Sequence, residues 1–78
     1  MSPRAPRVTA SEVIRALERL GFVLSRQSGS HKIYKNSEGR RVTVPIRAGK
    51  ILHPKVVRSI QEDAGMTPDE FIQLLKDV

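Results

Sequence analysis

The chain has 78 residues, enough for one domain with a single small core, and it is basic, with 14 Lys or Arg against eight Asp or Glu. It contains no cysteine, which excludes disulfides, thiolate metal sites and cysteine nucleophiles. No apolar run approaches the ~20 residues that cross a bilayer, so we expect no membrane partner.

The positive charge is concentrated in the first three-quarters of the chain. Residues 1–58 carry 13 Lys or Arg against three Glu, whereas residues 59–78 carry one Lys against five Asp or Glu. A concentrated basic surface attracts polyanions, and nucleic acid is the natural polyanionic partner. The alternative is a set of solvated surface charges with no ligand, which the uneven distribution disfavours.

The first eight residues predict a disordered basic tail, because they include two prolines and two arginines. They lack the apolar segment of a signal peptide, so we expect a cytoplasmic protein. Residues 9–78 form the single predicted domain. Thr9 and Glu12 have the spacing of a capping box, which predicts a helix that begins there and ends at Gly21.

Three short strands are predicted next, over residues 22–27, 31–36 and 40–45. Ser28-Gly29-Ser30 should form the turn between the first two strands, and Ser37-Glu38-Gly39 the hairpin loop before the third. Short connections of this kind predict antiparallel pairing.

Two further helices complete the predicted fold. Pro54 suits the first turn of a helix that ends near Gly65, after a loop over residues 46–53. Thr67 and Glu70 repeat the capping-box spacing at the start of a last, short helix. The predicted class is α+β, with a three-stranded antiparallel sheet, helices packed on one face and the other face uncovered.

His31 is the best candidate for chemistry, because an imidazole exchanges protons near neutral pH and this one begins a strand among positive charges. Beside an RNA phosphate it could deprotonate the 2′-hydroxyl or protonate the leaving 5′-oxygen, while Arg26 and nearby lysines stabilise the transition state. Strand alternation predicts that His31 and Ile33 face the helices. Lys32 and Tyr34 should then point the other way. The alternative is a structural histidine at a turn, bonded to a nearby carbonyl.

His53 precedes a proline at the entrance to a helix, which favours a local capping role over contact with substrate. The two histidines are 22 residues apart and the acidic residues cluster late in the chain, so the sequence predicts no metal site and no cofactor. Tyr34 either stacks on a base, as aromatic side chains do in single-stranded RNA sites, or packs in the core.

The chain combines three segments: Gly29-Ser30-His31-Lys32-Ile33-Tyr34, then Gly39-Arg40-Arg41-Val42-Thr43-Val44-Pro45, then Val57-Arg58-Ser59-Ile60 followed by Ala64-Gly65-Met66. In this combination it resembles the HicA family over roughly residues 9–75. That family consists of small bacterial toxins that cleave mRNA, with a fold similar to a double-stranded-RNA-binding domain. The resemblance implies that His31, in the Gly-Ser-His motif, is the catalytic residue.

The same resemblance implies the partners. Single-stranded mRNA is the implied substrate, and a HicB-like antitoxin would cover the face that carries His31. Operator DNA would be bound only indirectly, through the antitoxin. The residues expected to contact RNA surround His31 in the sequence and are mostly basic: Arg26, Ser30, Lys32, Tyr34, Lys35, Arg41, Arg47 and Lys50.

One position departs from the family pattern. Many members have a second histidine two residues after the proline that ends the third strand, whereas this chain has Arg47, which could hold phosphate instead. Two other functions stay open. One is a non-catalytic RNA-binding module of the same fold, whose basic cluster would consist of Lys55 and Arg58. The other is an interaction protein whose basic face docks an acidic partner.

Overall fold

The computed structural model describes residues 7–46 and 50–77. The elements follow one another as α1 (Ala10–Arg19), β1 (Val23–Ser28), β2 (His31–Lys35), β3 (Arg41–Pro45), α2 (Pro54–Asp63) and α3 (Pro68–Asp77). The strands form one antiparallel sheet in the order β1-β2-β3. The α+β class is confirmed, while the likeness to a double-stranded-RNA-binding domain stays a prediction. No helix in the described part of the chain is long and apolar enough to cross a membrane.

The helix α1 begins with the capping box that the sequence predicts. The Glu12 amide donates to the Thr9 hydroxyl oxygen at 3.4 Å, and the Thr9 amide donates to the Glu12 carboxylate at 3.1 Å. Val13, Ala16 and Leu17 form most of its buried side. Their spacing of three and four residues is that of an amphipathic helix, so α1 is held by its cap and by one apolar face.

The two later helices also begin where predicted. Pro54 is the first residue of α2. At the start of α3 the Glu70 amide donates to the Thr67 hydroxyl oxygen at 3.2 Å, and the Thr67 amide donates to the Glu70 carboxylate at 2.9 Å. Each cap satisfies amides that have no partner within the helix, which fixes where the helix starts.

The core lies between the helices and one face of the sheet. Its largest fully buried side chains come from all three helices and from β3: Phe71, Leu17, Ile60, Val13, Val42, Val44 and Val57. Burying one such side chain contributes ~1.5–3 kcal/mol to the stability of the fold.

The edge strand β1 lies largely outside this core. All six of its residues are exposed, and the strand contains a β-bulge between Leu24 and Arg26. It begins at Val23, one residue later than predicted, and Leu24 is 49% exposed. One side of the sheet therefore ends in a strand that the helices do not cover.

The structure reverses the predicted faces of β2. Tyr34 is 3% exposed and pairs with the buried Val42 of β3, so Tyr34 and Lys32 point toward the helices. His31 and Ile33 lie on the opposite face. The predicted assignment was wrong because each alternating set of β2 contains one apolar residue, and only the pairing with β3 decides between them.

Val8, the last residue of the predicted tail, packs with the domain that follows it. Val8 is 5% exposed, and its carbonyl accepts a hydrogen bond from the Leu52 amide at 2.8 Å. Thr9 and Ile51 form an isolated β-bridge beside it. Val8 therefore belongs to the core and not to the predicted tail. Residues 1–6 of that tail lie outside the described residues.

Candidate functional site

The face of the sheet opposite the helices carries alternate residues of each strand, and we call it the open face. Antiparallel partners point to the same side of a sheet, so the register assigns nine side chains to it. They are His31, Ile33 and Lys35 of β2, Val23, Arg26 and Ser28 of β1, and Arg41, Thr43 and Pro45 of β3. Ile33 and Pro45 are half-buried and the other seven are exposed. None of the nine is acidic, so the open face is positively charged.

A two-residue turn holds His31 at the rim of this face. Ser28 pairs with His31 across Gly29 and Ser30, and Gly29 has φ +57°, the left-handed conformation required at the first position of a type II′ hairpin turn. The Ser30 carbonyl accepts a hydrogen bond from the Ile46 amide at 2.6 Å. The peptide before His31 is thus bonded to the residue that directly follows β3.

The imidazole of His31 is exposed. Among the residues that the structure describes, none forms a hydrogen bond with its ring, whereas the ring of His53 has such a bond. Within residues 7–46 and 50–77, no carbonyl holds the ring of His31, so the described part of the chain does not support the structural alternative. An exposed imidazole is positioned to exchange a proton with a ligand on the open face.

Three of the predicted basic residues share the open face with His31. Arg26 pairs with Ile33, which places it diagonally across from His31 at about 7–8 Å. Lys35 and Arg41 pair directly with each other at the far end of β2. The open face therefore has one cation near His31 and two at its other end.

The remaining predicted contacts are scattered. Ser30 is exposed in the turn, at the rim of the open face, and Lys50 is exposed in the loop before α2. Lys32 is half-buried on the side that faces the helices, in the set that pairs with the buried valines of β3. Arg47 lies outside the described residues.

Tyr34 is in the core, which was the alternative to base stacking. Burial raises the pKa of its phenol, and the nearby negative charge of Glu18 raises it further. Because the ring is only 3% exposed, it presents no face on which a base could stack. The expected RNA contact at Tyr34 is corrected accordingly.

Sequence reasoning missed Ile33 and Thr43 as surface residues of the site. They pair with each other in the middle of the open face, and Thr43 is exposed. The signal was available in β3, where Thr43 stands between two valines of the buried set. Alternation from Val42 and Val44 assigns Thr43 to the open face, and the pairing of Ile33 with Thr43 then assigns Ile33 to the same face.

The second histidine caps a helix. The Nδ1 atom of His53 accepts a hydrogen bond from the Lys55 amide at 3.1 Å, at the N-terminus of α2. The capping role favoured by the sequence is therefore confirmed. Within the described ranges, no three His, Cys, Asp or Glu side chains gather closely enough to hold a metal ion.

The amino-acid sequence matches the model of a known protein family. A family model described as the HicA toxin of bacterial toxin-antitoxin systems matches residues 10–66. The matched range contains α1, the whole sheet and α2, and therefore every residue of the open face. No curated protein is similar enough to the sequence to count as a match.

Proposed function

The chain belongs to the HicA family of bacterial toxins from toxin–antitoxin systems, and from this premise we propose that it is a metal-independent endoribonuclease that cleaves single-stranded mRNA, with His31 as its catalytic residue. One observation carries the proposal: the exposed imidazole of His31 lies on a positively charged sheet face that none of the described helices covers. A proton-transfer group beside a surface that attracts polyanions is what RNA cleavage requires.

The reaction uses a nucleophile that RNA itself carries. The 2′-oxygen forms a bond to the adjacent phosphorus, and the bond from phosphorus to the 5′-oxygen breaks. His31 either takes the proton from the 2′-hydroxyl or gives a proton to the leaving 5′-oxygen. The products are a 2′,3′-cyclic phosphate and a 5′-hydroxyl. Proton transfer by a positioned side chain contributes typically ~10²–10⁴-fold to the rate.

Arg26 is the open-face cation closest to His31 in the sheet register. A guanidinium donates two parallel hydrogen bonds to phosphate oxygens and keeps its charge at any cellular pH. Charge builds on those oxygens in the transition state, so Arg26 stabilises the transition state more than the bound substrate.

The antitoxin partner that the family implies is proposed to be a HicB-like protein that covers the open face. The cations of that face favour an acidic partner. Beside them, β1 offers an outer edge that pairs with no other strand of the described residues, and two exposed apolar side chains, Val23 at 65% and Leu24 at 49%. Operator DNA would be bound through the antitoxin, and the toxin itself would act on mRNA in the cytoplasm.

A cleavage assay on the purified protein tests the catalytic proposal. It uses single-stranded RNA, excess EDTA and no ribosomes, and it compares the wild type with His31→Ala and with His53→Ala as the matched control. We expect cleavage by the wild type and by His53→Ala, no cleavage by His31→Ala, and cyclic phosphate ends. Products with a 3′-hydroxyl and a 5′-phosphate would contradict the proposed nucleophile.

The same assay separates the second candidate, a non-catalytic RNA-binding module. Lys55 and Arg58 are exposed on α2 and could bind RNA from the helical side of the molecule. If the wild type and His31→Ala both bind the RNA and neither cuts it, the binding module replaces the ribonuclease.

A further inference from the structure

The far end of the open face holds two like charges side by side. Lys35 and Arg41 are direct cross-strand partners, both exposed, at the end of β2 away from His31. Like charges directly opposite each other destabilise a sheet. The third residue in this row is Val23, so the strand on the other side of Lys35 supplies no carboxylate.

The neighbouring Arg40 shows what a basic side chain with a structural task looks like. Its guanidinium donates to the Asp63 carbonyl at 3.4 Å, at the C-terminal end of α2, and an added Cβ at Gly65 would lie 2.5 Å from it. A cation in that position stabilises the helix end. Lys35 and Arg41 point to the opposite side of the sheet from the helices, where no such task exists in the described structure.

We propose that Lys35 and Arg41 together bind a phosphate of the RNA other than the one that is cleaved. An anion between two adjacent cations removes their repulsion, and charge-assisted hydrogen bonds from both would hold it. The proposal rests on the ribonuclease function proposed above and adds a second, non-catalytic phosphate site to it.

The distance along β2 determines which phosphate this is. Lys35 is four residues from His31, which corresponds to ~13 Å of extended strand. Adjacent phosphates of an RNA strand are joined through a single sugar and cannot be that far apart. The pair therefore binds a phosphate beyond the immediate neighbours of the scissile one.

The middle of the open face fits an RNA strand that runs along β2 between the two sites. Ile33 is half-buried there and pairs with the exposed Thr43, so an intervening nucleotide would meet an apolar surface beside a hydroxyl group. Arg26 is on the other side of Ile33. An RNA chain carries a negative charge on every nucleotide, so it can contact the His31 end and the Lys35–Arg41 end of the open face at once. This regular spacing of charge favours RNA over an acidic protein segment as the ligand.

The test measures RNA binding by two matched double variants in a His31→Ala background, which keeps the RNA intact. Lys35→Gln/Arg41→Gln removes two charges from the open face. Lys55→Gln/Arg58→Gln removes the same two residue types from α2, on the helical side. Affinity for a labelled single-stranded RNA is measured over a series of salt concentrations, and circular dichroism establishes that each variant is folded.

We expect the open-face variant to bind roughly tenfold more weakly near physiological salt. Its log–log salt dependence should fall by about 0.7, because the pair neutralises one phosphate and each neutralised phosphate on a single strand accounts for that much of the slope. The α2 variant should keep the slope of the parent. An equal loss in both variants, or an unchanged slope in the open-face variant, would overturn the second phosphate site. Lost affinity for an acidic protein partner with RNA binding intact would overturn it as well.

The second measurement is RNA cleavage by the Lys35→Gln/Arg41→Gln variant in a protein that retains His31. The substrate is trimmed stepwise from each end around a mapped cut until the wild type slows. Lys35→Gln/Arg41→Gln should cut the full substrate at the rate at which the wild type cuts the trimmed substrate. The cleavage rate of this variant should not fall further when the substrate is trimmed. An equal loss on both substrates would place the pair at the scissile phosphate and contradict the proposal. Failure of the wild type to cleave at all would refute the ribonuclease function and leave the salt-slope result standing.

Discussion

The two histidines of this chain have opposite surroundings. His53 accepts a hydrogen bond from the Lys55 amide and caps α2, while the ring of His31 is exposed and has no hydrogen-bond partner among the described residues. A side chain already committed to a backbone amide is held in one orientation. A side chain without such a bond can turn toward a substrate. Substitution of His53 therefore tests helix capping, whereas substitution of His31 tests catalysis.

His53→Ala should lower the free energy of unfolding by about 1 kcal/mol, because the Lys55 amide loses its acceptor at the helix N-terminus. Urea denaturation measures the loss, and His53→Asn should restore most of it, since asparagine is a good N-cap residue. RNA cleavage per folded molecule should not change. A fully folded His53→Ala protein without cleavage would place His53 in the reaction.

Tyr34 should give the protein an alkaline limit of stability. Burial and the charge of Glu18 raise its pKa above the usual 10.0, so the folded state favours the neutral phenol. Its contribution to stability is complete below pH ~10 and is lost as the pH rises through the higher folded value. Urea denaturation above pH ~10 should show a loss for the wild type that is smaller in Tyr34→Phe. Parallel losses in both proteins would assign it to other groups.

At the level of elements, local signals predicted the helix starts well. Each start depends on a few neighbouring residues, such as Thr9 with Glu12, whose hydrogen bonds form within a single turn. The hairpin turn at Gly29 is equally local. Such features can be read from sequence because nothing distant competes with them.

The faces of β2 depended on its pairing with a distant strand and were predicted wrongly, whereas Val42 and Val44 of β3 are buried as their alternation indicates. In β2, Ile33 and Tyr34 are adjacent apolar residues, so alternation alone fits either face. The register with β3, where Val42 opposite Tyr34 is buried, decides the matter. With this register His31 lies on the same face of the sheet as Arg26, Lys35 and Arg41, so the candidate site holds a proton-transfer group and three cations together.

Thr67→Ala should destabilise the protein by about 1 kcal/mol through the lost N-cap of α3. Glu70 provides an independent readout. The pKa of Glu70 is lowered first by its hydrogen bond with the Thr67 backbone amide and then by its hydrogen bond with the Thr67 side chain. This lowered pKa stabilises the folded state at pH values above the usual pKa of a glutamate, and the stabilisation is lost as the pH falls through the folded-state pKa. An NMR titration should show that pKa moving back toward the ordinary value in Thr67→Ala. No movement would show that the Thr67 hydroxyl contributes nothing to the lowered pKa, because the Thr67 backbone amide, which is its larger cause, is kept in the variant.

On the scale of the whole molecule, charge and burial divide the sheet between two tasks. One face packs on the helices and forms the core. The other face is uncovered in the part of the chain that the structure describes, and its described side chains include cations and no carboxylate. The acidic residues of the chain's last part belong to α2 and α3, on the helical side. A polyanion therefore meets a purely basic set of charges on the open face, whereas acidic and basic residues are mixed on the helical side.

An antitoxin that covers the open face should protect the sheet from hydrogen exchange. In the complex we expect slower amide exchange in β1, with α3 as the internal control because it lies in the helical layer. Mass spectrometry of the free and bound toxin measures this. Inhibition of cleavage with protection confined to α3 would instead indicate a partner that acts from the helical side.

The bulge in β1 has a consequence for how the free protein behaves in concentrated solution. A bare edge strand is a template on which further copies can add and aggregate. The bulge between Leu24 and Arg26 interrupts the regular spacing of backbone donors and acceptors along that edge. Arg26 adds a charge that repels its counterpart on a second copy. The strand therefore discourages self-addition while remaining available to a different protein, so the toxin released from a complex should stay dispersed.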